Sequence, residues 1–334
     1  MLKNINKIIL ITALFLPSFG LAATLYPSYG GNVMFELNPK NPGANSSVTI
    51  KATSYSIDLT GSKISWYVGD KLEMEGNGKD SFSFKTGAVG KPITIKMVAE
   101  NDAKRVGRAI SITPADIDAV WEANTYVPPS YRGKALAASK SSVKIVAIPQ
   151  FKTENGTNIP SSEIKYEWKK GNAVLLSGFG KNVLNTDVGS PLAGENIILL
   201  ASDKSGTIVA EKKIEIVPED PEVVFYKENP AEGTNYNMAL KGTIGLEGKE
   251  VSVRAEPFFF SYPSYSKGNN LLFSWKVDGK GVNPNEGTPK IITLRNETGQ
   301  DITSSISLSI KNAQKLFQET TSGFSLSSSA GFKF

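Results

Sequence analysis

The chain has 334 residues, with 37 Lys and Arg against 32 Asp and Glu, a formal net charge of +5, and neither Cys nor His. Without His there is no Ser-His-Asp triad, imidazole zinc site or histidine general base, and without Cys there is no thiol nucleophile, thiolate metal site or disulfide. The charges are interspersed with no basic run longer than a pair, so the sequence predicts no nucleic-acid partner.

The chain begins with the pattern of a secretory leader. Lys3 and Lys7 precede an apolar stretch at residues 8–16, and residues 20–22 resemble a signal-peptidase site. The alternative is a retained anchor, but the stretch is shorter than the about 20 residues that span a membrane. Residues 1–23 are therefore predicted to be a cleaved signal peptide. The mature chain is expected to lack a transmembrane segment and to be exported, to an extracellular, cell-surface or periplasmic location.

Short runs of alternating apolar and polar residues follow, which predict half-buried strands. In the first repeat they fall at residues 47–52, 64–68, 81–84, 92–99 and 109–112, with turns at 69–70, 76–78 and 87. A Trp lies in such a run about every hundred residues, at Trp66, Trp168 and Trp275, which indicates an internal repeat. We predict that these three Trp side chains are structural core residues, each with one acceptor for its ring N–H.

The second and third repeats share further features. Residues 143–151 and 251–259 carry matching residues at alternate positions and share a Pro and a Phe, which predicts that these two repeats are the closer relatives. The segments 114–121 and 218–225 are acidic and contain Pro, and we predict that they are stiff connectors between domains.

The acidic residues of these connectors raise the hypothesis of a calcium site. Calcium takes six to eight oxygen ligands, and two or three acids per cluster are few, so a solvated polar linker is the favoured interpretation. No other metal and no cofactor is predicted. The candidate ligands are Asp116, Asp118, Glu219, Asp220 and Glu222.

An aromatic segment of the third repeat provides the candidate partner-binding residues. Phe258, Phe260, Tyr262 and Tyr265 have no counterparts in the second repeat, and in an exposed loop they could bind a protein or stack on a sugar. The alternative, which we favour, is that they cover the third domain or pack on the second. Residues 126–133, with two Pro flanked by Tyr, are likewise either a recognition strip or, preferably, a loop that wedges two domains.

The strands, turns and central Trp, with Asn-Pro-Gly at 41–43 and Lys-Ile-Ser-Trp-Tyr-Val at 63–68, resemble the immunoglobulin-like sandwiches of bacterial PKD-like surface-protein repeats. The resemblance covers essentially the whole mature chain. It implies an all-β fold of three tandem immunoglobulin-like β-sandwich domains after the signal peptide, at residues 24–114, 115–218 and 219–334. Residues 121–136, ending in Tyr-x-x-Lys-Ala-Leu, also resemble exported proteins encoded near pilus systems of candidate-phylum bacteria.

These observations predict a non-catalytic exported surface or pilus-associated protein that acts as a binding or spacer module toward an envelope or pilus protein. A first alternative is a glycan-binding accessory module of a secreted polysaccharide-degrading system, whose partner is a surface glycan.

A second alternative is a hydrolase that uses two carboxylates, and nothing in the sequence selects such a pair among 32 acids. Ser-x-x-Lys occurs at 141–144, 162–165 and 264–267, but its chemistry needs a helical turn, whereas the first two copies begin predicted strands and the third lies in a predicted loop. The chain is therefore predicted not to be an enzyme.

Overall fold

The computed structural model describes residues 32–190, 194–246, 248–266, 270–285, 287–297 and 300–328, and the predicted signal peptide lies outside them. The regular secondary structure of the described chain is almost all β-strand. It also contains one short helix, α1 (Tyr262–Ser266), and a 3-10 turn at Ser161–Glu163. Within these ranges, no helix has the length and apolar character needed to cross a membrane.

The first repeat forms two antiparallel sheets that pack around one apolar core. The burial pattern alternates along the strands, as for Val48, Ile50 and Ala52, which are buried between exposed neighbours. The sheet orders are β1-β2-β5 and β4-β3-β6-β7. The strands are β1 (Val33–Asn38), β2 (Ser47–Ser54), β3 (Lys63–Val68), β4 (Lys71–Asn77), β5 (Ser81–Lys85), β6 (Ile93–Glu100) and β7 (Arg105–Ile112).

The second repeat has the same arrangement of strands. Its sheet orders are β12-β9-β8 and β11-β10-β13-β14, which match those of the first repeat strand by strand. The strands are β8 (Asp116–Ala123), β9 (Ser142–Gln150), β10 (Lys165–Lys170), β11 (Ala173–Phe179), β12 (Val183–Asp187), β13 (Glu195–Ser202) and β14 (Val209–Ile216).

The third repeat keeps this plan and adds two strands at sheet edges. Its sheet orders are β16-β15-β18-β21 and β17-β23-β22-β19-β20. The added strand β16 forms one edge of the first sheet, and the added strand β17 forms one edge of the second. The strands are β15 (Glu222–Asn229), β16 (Gly233–Leu240), β17 (Thr243–Gly245), β18 (Glu250–Phe258), β19 (Leu271–Val277), β20 (Lys280–Val282), β21 (Ile291–Arg295), β22 (Ile302–Asn312) and β23 (Glu319–Ser328).

The three repeated Trp side chains occupy equivalent places on β3, β10 and β19. Trp66, Trp168 and Trp275 are 0%, 0% and 2% exposed. Each ring Nε1 donates to a backbone carbonyl oxygen on the far side of the following hairpin, that of Lys79 at 2.8 Å, Lys181 at 2.8 Å and Pro289 at 3.0 Å. Each Trp therefore fills the space between two sheets without leaving a buried donor unsatisfied.

The prediction that residues 114–121 and 218–225 are connectors is wrong for most of the first segment and for half of the second. β8 begins at Asp116 and β15 at Glu222, so Asp116, Asp118 and Glu222 lie on strands, whereas Glu219 and Asp220 lie in the connection before β15. The reason is that apolar residues alternate with the charged ones, and Ile117, Val223 and Phe225 are buried.

The hairpin after each Trp does not follow the kinship that residues 143–151 and 251–259 predict. In the first and second repeats, Gly-x-Gly-Lys ends this hairpin, at residues 76–79 and 178–181, and a β-bulge follows the Trp. The third repeat pairs β19 with β20 without such a register shift. In this hairpin the first two repeats are the more similar pair.

The chain divides into two compact units. One contains the described residues up to Ala115 together with Phe151–Ile159 and Ser202–Ala210. The other contains Asp116–Gln150, Pro160–Ala201 and the described residues from Glu211 onward. Most of the second repeat and all of the described third repeat thus belong to the same unit.

Candidate functional site: the joint of the second and third repeats

The aromatic segment that follows β18 lies inside the protein. Phe258 and Phe259 are 6% and 5% exposed and pack in one cluster with Tyr131 of the second repeat. Their rings meet Tyr131 edge to face, with centroids 5.5 and 6.0 Å apart. Phe260 is fully buried in the third repeat's own core, around Trp275.

Backbone hydrogen bonds hold this segment against the chain that leaves β8. The N–H of Phe259 donates to the carbonyl of Tyr126 at 2.7 Å, and the N–H of Tyr126 donates to the carbonyl of Phe260 at 2.7 Å. The N–H of Tyr262 donates to the carbonyl of Asn124 at 3.0 Å. Two segments about 135 residues apart therefore pair like a short antiparallel ladder, with a bridge between Thr125 and Ser261.

The hypothesis of an exposed aromatic surface does not hold for Phe258 and Phe260, and the favoured alternative, that they cover the third repeat or pack on the second, describes both. Both contribute to buried clusters because burial of a Phe side chain is worth a few kcal/mol, more than a loop gains by leaving it in water. Tyr262 is 49% exposed, and Tyr265 lies in the same helix, α1. The expectation that residues 126–133 wedge two repeats is confirmed, since Tyr126 and Tyr131 both lie in the joint.

A buried carboxylate forms the polar part of the joint. Glu256 is 1% exposed, and its two oxygens accept hydrogen bonds from the hydroxyls of Tyr126 at 2.9 Å and Tyr236 at 3.0 Å. The side chains of Arg254 and Lys290 approach it to 3.7 and 4.0 Å. A buried charge is tolerated only with such compensation, so the second repeat's Tyr126 helps to solvate a charge of the third.

Arg254 is held in turn by a carboxylate on the neighbouring strand. Its Nε and Nη2 donate to the two oxygens of Glu228 at 2.9 and 3.1 Å, a bidentate pair. These hydrogen bonds raise the pKa of Arg254 and lower the pKa of Glu228. Burial, and secondly the charge of Glu256, raise the pKa values of Tyr226 and Tyr236, so both phenols are held neutral.

Gln318, which directly precedes β23, is the second buried polar side chain that holds the joint together. It is 1% exposed. Its Nε2 donates to the carbonyl of Ser139 in the second repeat at 2.7 Å and to Ser261 Oγ at 2.8 Å. Its Oε1 accepts from the N–H of Ser261 at 3.1 Å and from Asn312 Nδ2 at 2.7 Å. All four hydrogen-bonding capacities of the amide are used.

The connection between β14 and β15 is also fastened to the second repeat. The N–H of Glu219 donates to the carbonyl of Ala137 at 2.8 Å, and Ala138 and Glu219 form a parallel bridge. The joint therefore has three components: an aromatic cluster, a compensated buried charge and backbone pairing on both sides.

The calcium candidates are not brought together as one cluster. Asp118 accepts a hydrogen bond from Lys212 Nζ at 2.8 Å, which lowers the pKa of Asp118. Glu219, Asp220 and Glu222 are exposed. Over the described ranges, no three Asp or Glu side chains are grouped so that they could hold a metal ion.

Sequence reasoning missed Glu256, Gln318 and the role of Ser139 in this joint. A charged residue on a strand is expected to face water, and the only signal for Glu256 is its position in an otherwise apolar run, next to Ala255 and Pro257. Nothing in the local sequence marks Gln318, because the partners that make it part of the joint, Ser261 and Ser139, lie 57 and 179 residues away.

No protein-family model and no curated protein matches the sequence. The solved structures that are similar to it are tandem immunoglobulin-like or fibronectin-III-like proteins. The three N-terminal domains of the bacteriophage RB49 Highly Immunogenic Outer Capsid protein are 14% identical, with 91% of this chain and 100% of that chain covered and a TM-score of 0.27. The central fibronectin-III array of RIM-binding protein is 14% identical, with 90% and 94% covered and a TM-score of 0.28.

The fibronectin(III)-like modules of Clostridium thermocellum CbhA are 17% identical, with 55% of this chain and 94% of that chain covered and a TM-score of 0.26. At these TM-scores the similarities do not strengthen the assignment of the fold beyond what the sheet topology shows. The architecture rests on the strand orders themselves.

Proposed function

We propose that this chain is a non-catalytic, exported surface or pilus-associated protein, a binding and spacer module that mediates protein–protein or adhesive contacts. The observation that carries the proposal is the joint. Aromatic side chains that stand out in the sequence, together with buried polar side chains that do not, fasten two repeats together, as a protein that presents its domains in a fixed arrangement requires.

The chemistry of the chain supports a non-catalytic role. It has no His and no Cys, so nucleophilic and acid–base routes through these residues are absent. The Ser-x-x-Lys pair at Ser141 and Lys144 is unsuited to catalysis, because Ser141 is fully buried whereas Lys144 is exposed on β9. Both acids in the best-defined charged cluster, Glu228 and Glu256, are occupied by Arg and Tyr partners.

Export is supported by the leader pattern at residues 1–23, and the pilus association by the resemblance of residues 121–136. The glycan-binding alternative loses support, because two of its four candidate aromatic residues, Phe258 and Phe260, are buried. Of the remaining two, Tyr262 is exposed.

The proposal is tested in the source cells. Protease added to intact cells should digest the chain while a cytosolic control protein stays intact, and deletion of the gene should reduce surface attachment or piliation. A chain that stays protected inside intact cells, or a deletion that changes neither attachment nor piliation, would refute the proposal.

A joint variant sharpens this test. Complementation with wild type should restore attachment, whereas Gln318→Ala at equal surface abundance should restore it only in part, because the second and third repeats are no longer fastened. Gln314→Ala is the matched control, since Gln314 lies on the same hairpin and is exposed. Equal restoration by both variants would show that the joint is not part of the function.

A further inference from the structure

The edge strand β11 of the second repeat carries no charged residue and exposes large apolar side chains. Val174, Leu175 and Phe179 are 53%, 39% and 52% exposed. The sheet order β11-β10-β13-β14 places β11 at an edge, and no other strand in the described part of the chain pairs with its outer side. Natural proteins protect such edges with charges, Pro, β-bulges or very short strands, because an open edge pairs with other chains. Of these devices β11 has a bulge, between its partners Trp168 and Lys169, but no charge and no Pro.

The first repeat provides an internal comparison at the same position of the fold. Strand β4 pairs with β3 in the same register and with the same bulge as β11 with β10. Its outward side is charged: Lys71 forms an ion pair with Glu73 at 2.8 Å, and Glu75 forms one with Lys63 at 3.1 Å. An uncharged edge is therefore not a requirement of the hairpin but a property of the second repeat.

The corresponding residues can be compared one by one. Because Trp66 pairs with Met74 and Trp168 pairs with Leu176, the two hairpins align without a gap. Ala173, Leu175 and Ser177 take the places of Lys71, Glu73 and Glu75, and Phe179 takes the place of Asn77. Every charge of the first repeat's edge is thus replaced by a neutral side chain.

We propose that β11 pairs antiparallel with β11 of a second copy of this chain, across a twofold axis close to Leu176. Such an interface is isologous, so each contact occurs twice. Leu176 lies opposite Leu176 of the second copy, and Leu175 lies opposite Ser177 of the second copy. The seven residues of β11 bring no charge into this pairing.

Charge compatibility favours a second copy as the occupant of the β11 edge. The same twofold applied to β4 would place Glu73 opposite Glu75 of a second copy, twice, and like charges directly opposite each other destabilise a strand pair. At β11 the equivalent positions are neutral, so a second copy meets no repulsion there. This self-association does not depend on which envelope partner the chain binds.

The strength of the dimer follows from the length of the strand. Seven residues span about 23 Å, and a single strand pair of that length is a small contact beside the about 1,200–2,000 Å² that stable complexes bury. We therefore expect a dimer that forms at high protein concentration and dissociates on dilution.

Sedimentation equilibrium over a concentration series tests the proposal. The apparent mass of the wild-type chain should rise from one chain toward two, and Leu175→Glu/Ser177→Glu, which copies the charges of the first repeat, should remain a monomer throughout. The control variant Val120→Glu/Met238→Glu adds the same charge elsewhere on the surface, where Val120 and Met238 are 55% and 68% exposed, and it should dimerise like wild type. A wild-type monomer at every concentration, or a dimer unaffected by the β11 charges, would overturn the proposal.

A single-cysteine experiment gives an independent measurement, because the natural chain contains no Cys. Opposite residues of an antiparallel pair have Cα atoms about 4.5–5.5 Å apart, within the range of a disulfide. Leu176→Cys should form a disulfide-linked dimer on mild oxidation, whereas Met74→Cys, at the equivalent place on β4, should not. No dimer from Leu176→Cys, or the same yield from both variants, would contradict the twofold at β11.

Discussion

Replacing Gln318 by Ala should loosen the joint between the second and third repeats while both keep their own cores. Besides the Ser261 hydroxyl, the substitution leaves three buried groups without the partner they have in the structure: the Ser139 carbonyl, the Ser261 N–H and the Asn312 amide nitrogen. A buried polar group that loses its partner costs about 1–3 kcal/mol, so the low end for three groups is about 3 kcal/mol.

This loss of free energy should make local opening of the joint more frequent, and not only global unfolding of the chain. The N–H of Ser261 is protected by Gln318, and those of Phe259 and Tyr126 are protected by the backbone pairing beside it. A loss of about 3 kcal/mol corresponds to about 150-fold faster exchange of the Ser261 amide, measured by hydrogen–deuterium exchange of peptides spanning this segment. Amides of β6 in the first repeat should exchange as in wild type.

Two further variants decide whether the reasoning is right. Gln318→Glu is nearly isosteric but places an oxygen where Nε2 meets the Ser139 carbonyl at 2.7 Å, so it should open the joint at least as much as Ala. Gln314→Ala, the exposed control on the same hairpin, should change nothing. If Gln318→Ala exchanges within a factor of about two of Gln314→Ala, the amide does not fasten the joint and the argument fails.

Three other predictions follow from the same contacts. Phe258→Ser should lower the free energy of unfolding by about 3–5 kcal/mol, as truncation of a buried Phe does, whereas Tyr262→Ser, at a half-exposed side chain, should cost clearly less; equal losses in urea unfolding would mean that Phe258 is not buried in the joint. Trp168→Phe should cost at least about 2 kcal/mol, because the ring shrinks and the Lys181 carbonyl loses its donor, and thermal unfolding that matches wild type would contradict this. Arg254 lowers the pKa of Glu228 in the folded protein. The pair therefore stabilises the fold at pH values above 4.5, the ordinary pKa of Glu, and this stabilisation is lost as the pH falls through the lower folded pKa. Glu228→Gln should make the free energy of unfolding depend less steeply on pH in the acid range, and an unchanged pH dependence would exclude the pair as its source.

The parts of the fold that the sequence predicted are those with local periodicity. Strand β2 alternates buried and exposed residues along its whole length, so a period of two is visible without any knowledge of its neighbours. The edge strand β4 was missed because all of its residues are at least partly exposed, and a strand without a buried face shows no alternation.

The joint was predictable only in outline. An aromatic segment that is unmatched in the other repeats indicates an added contact, and the favoured interpretation was that it covers the third domain or packs on the second. The partners could not be named, because Tyr126 and Glu256 are 130 residues apart and their hydrogen bond depends on how two complete sandwiches meet. Glu256 itself conflicts with the rule that charged residues face water, and it is buried because three kinds of partner compensate it.

The joint also determines where the chain can be divided. A fragment that starts at residue 219 would expose Phe258 and Phe259 to water, leave the Glu256 carboxylate without Tyr126, and remove the Ser139 carbonyl from Gln318. Truncation at the predicted boundary between residues 218 and 219 would therefore expose apolar side chains and polar groups without hydrogen-bond partners on an otherwise intact sandwich. For expression, crystallisation or transfer into another protein, the second and third repeats should be kept together as one unit, although the repeat pattern suggests two separable domains.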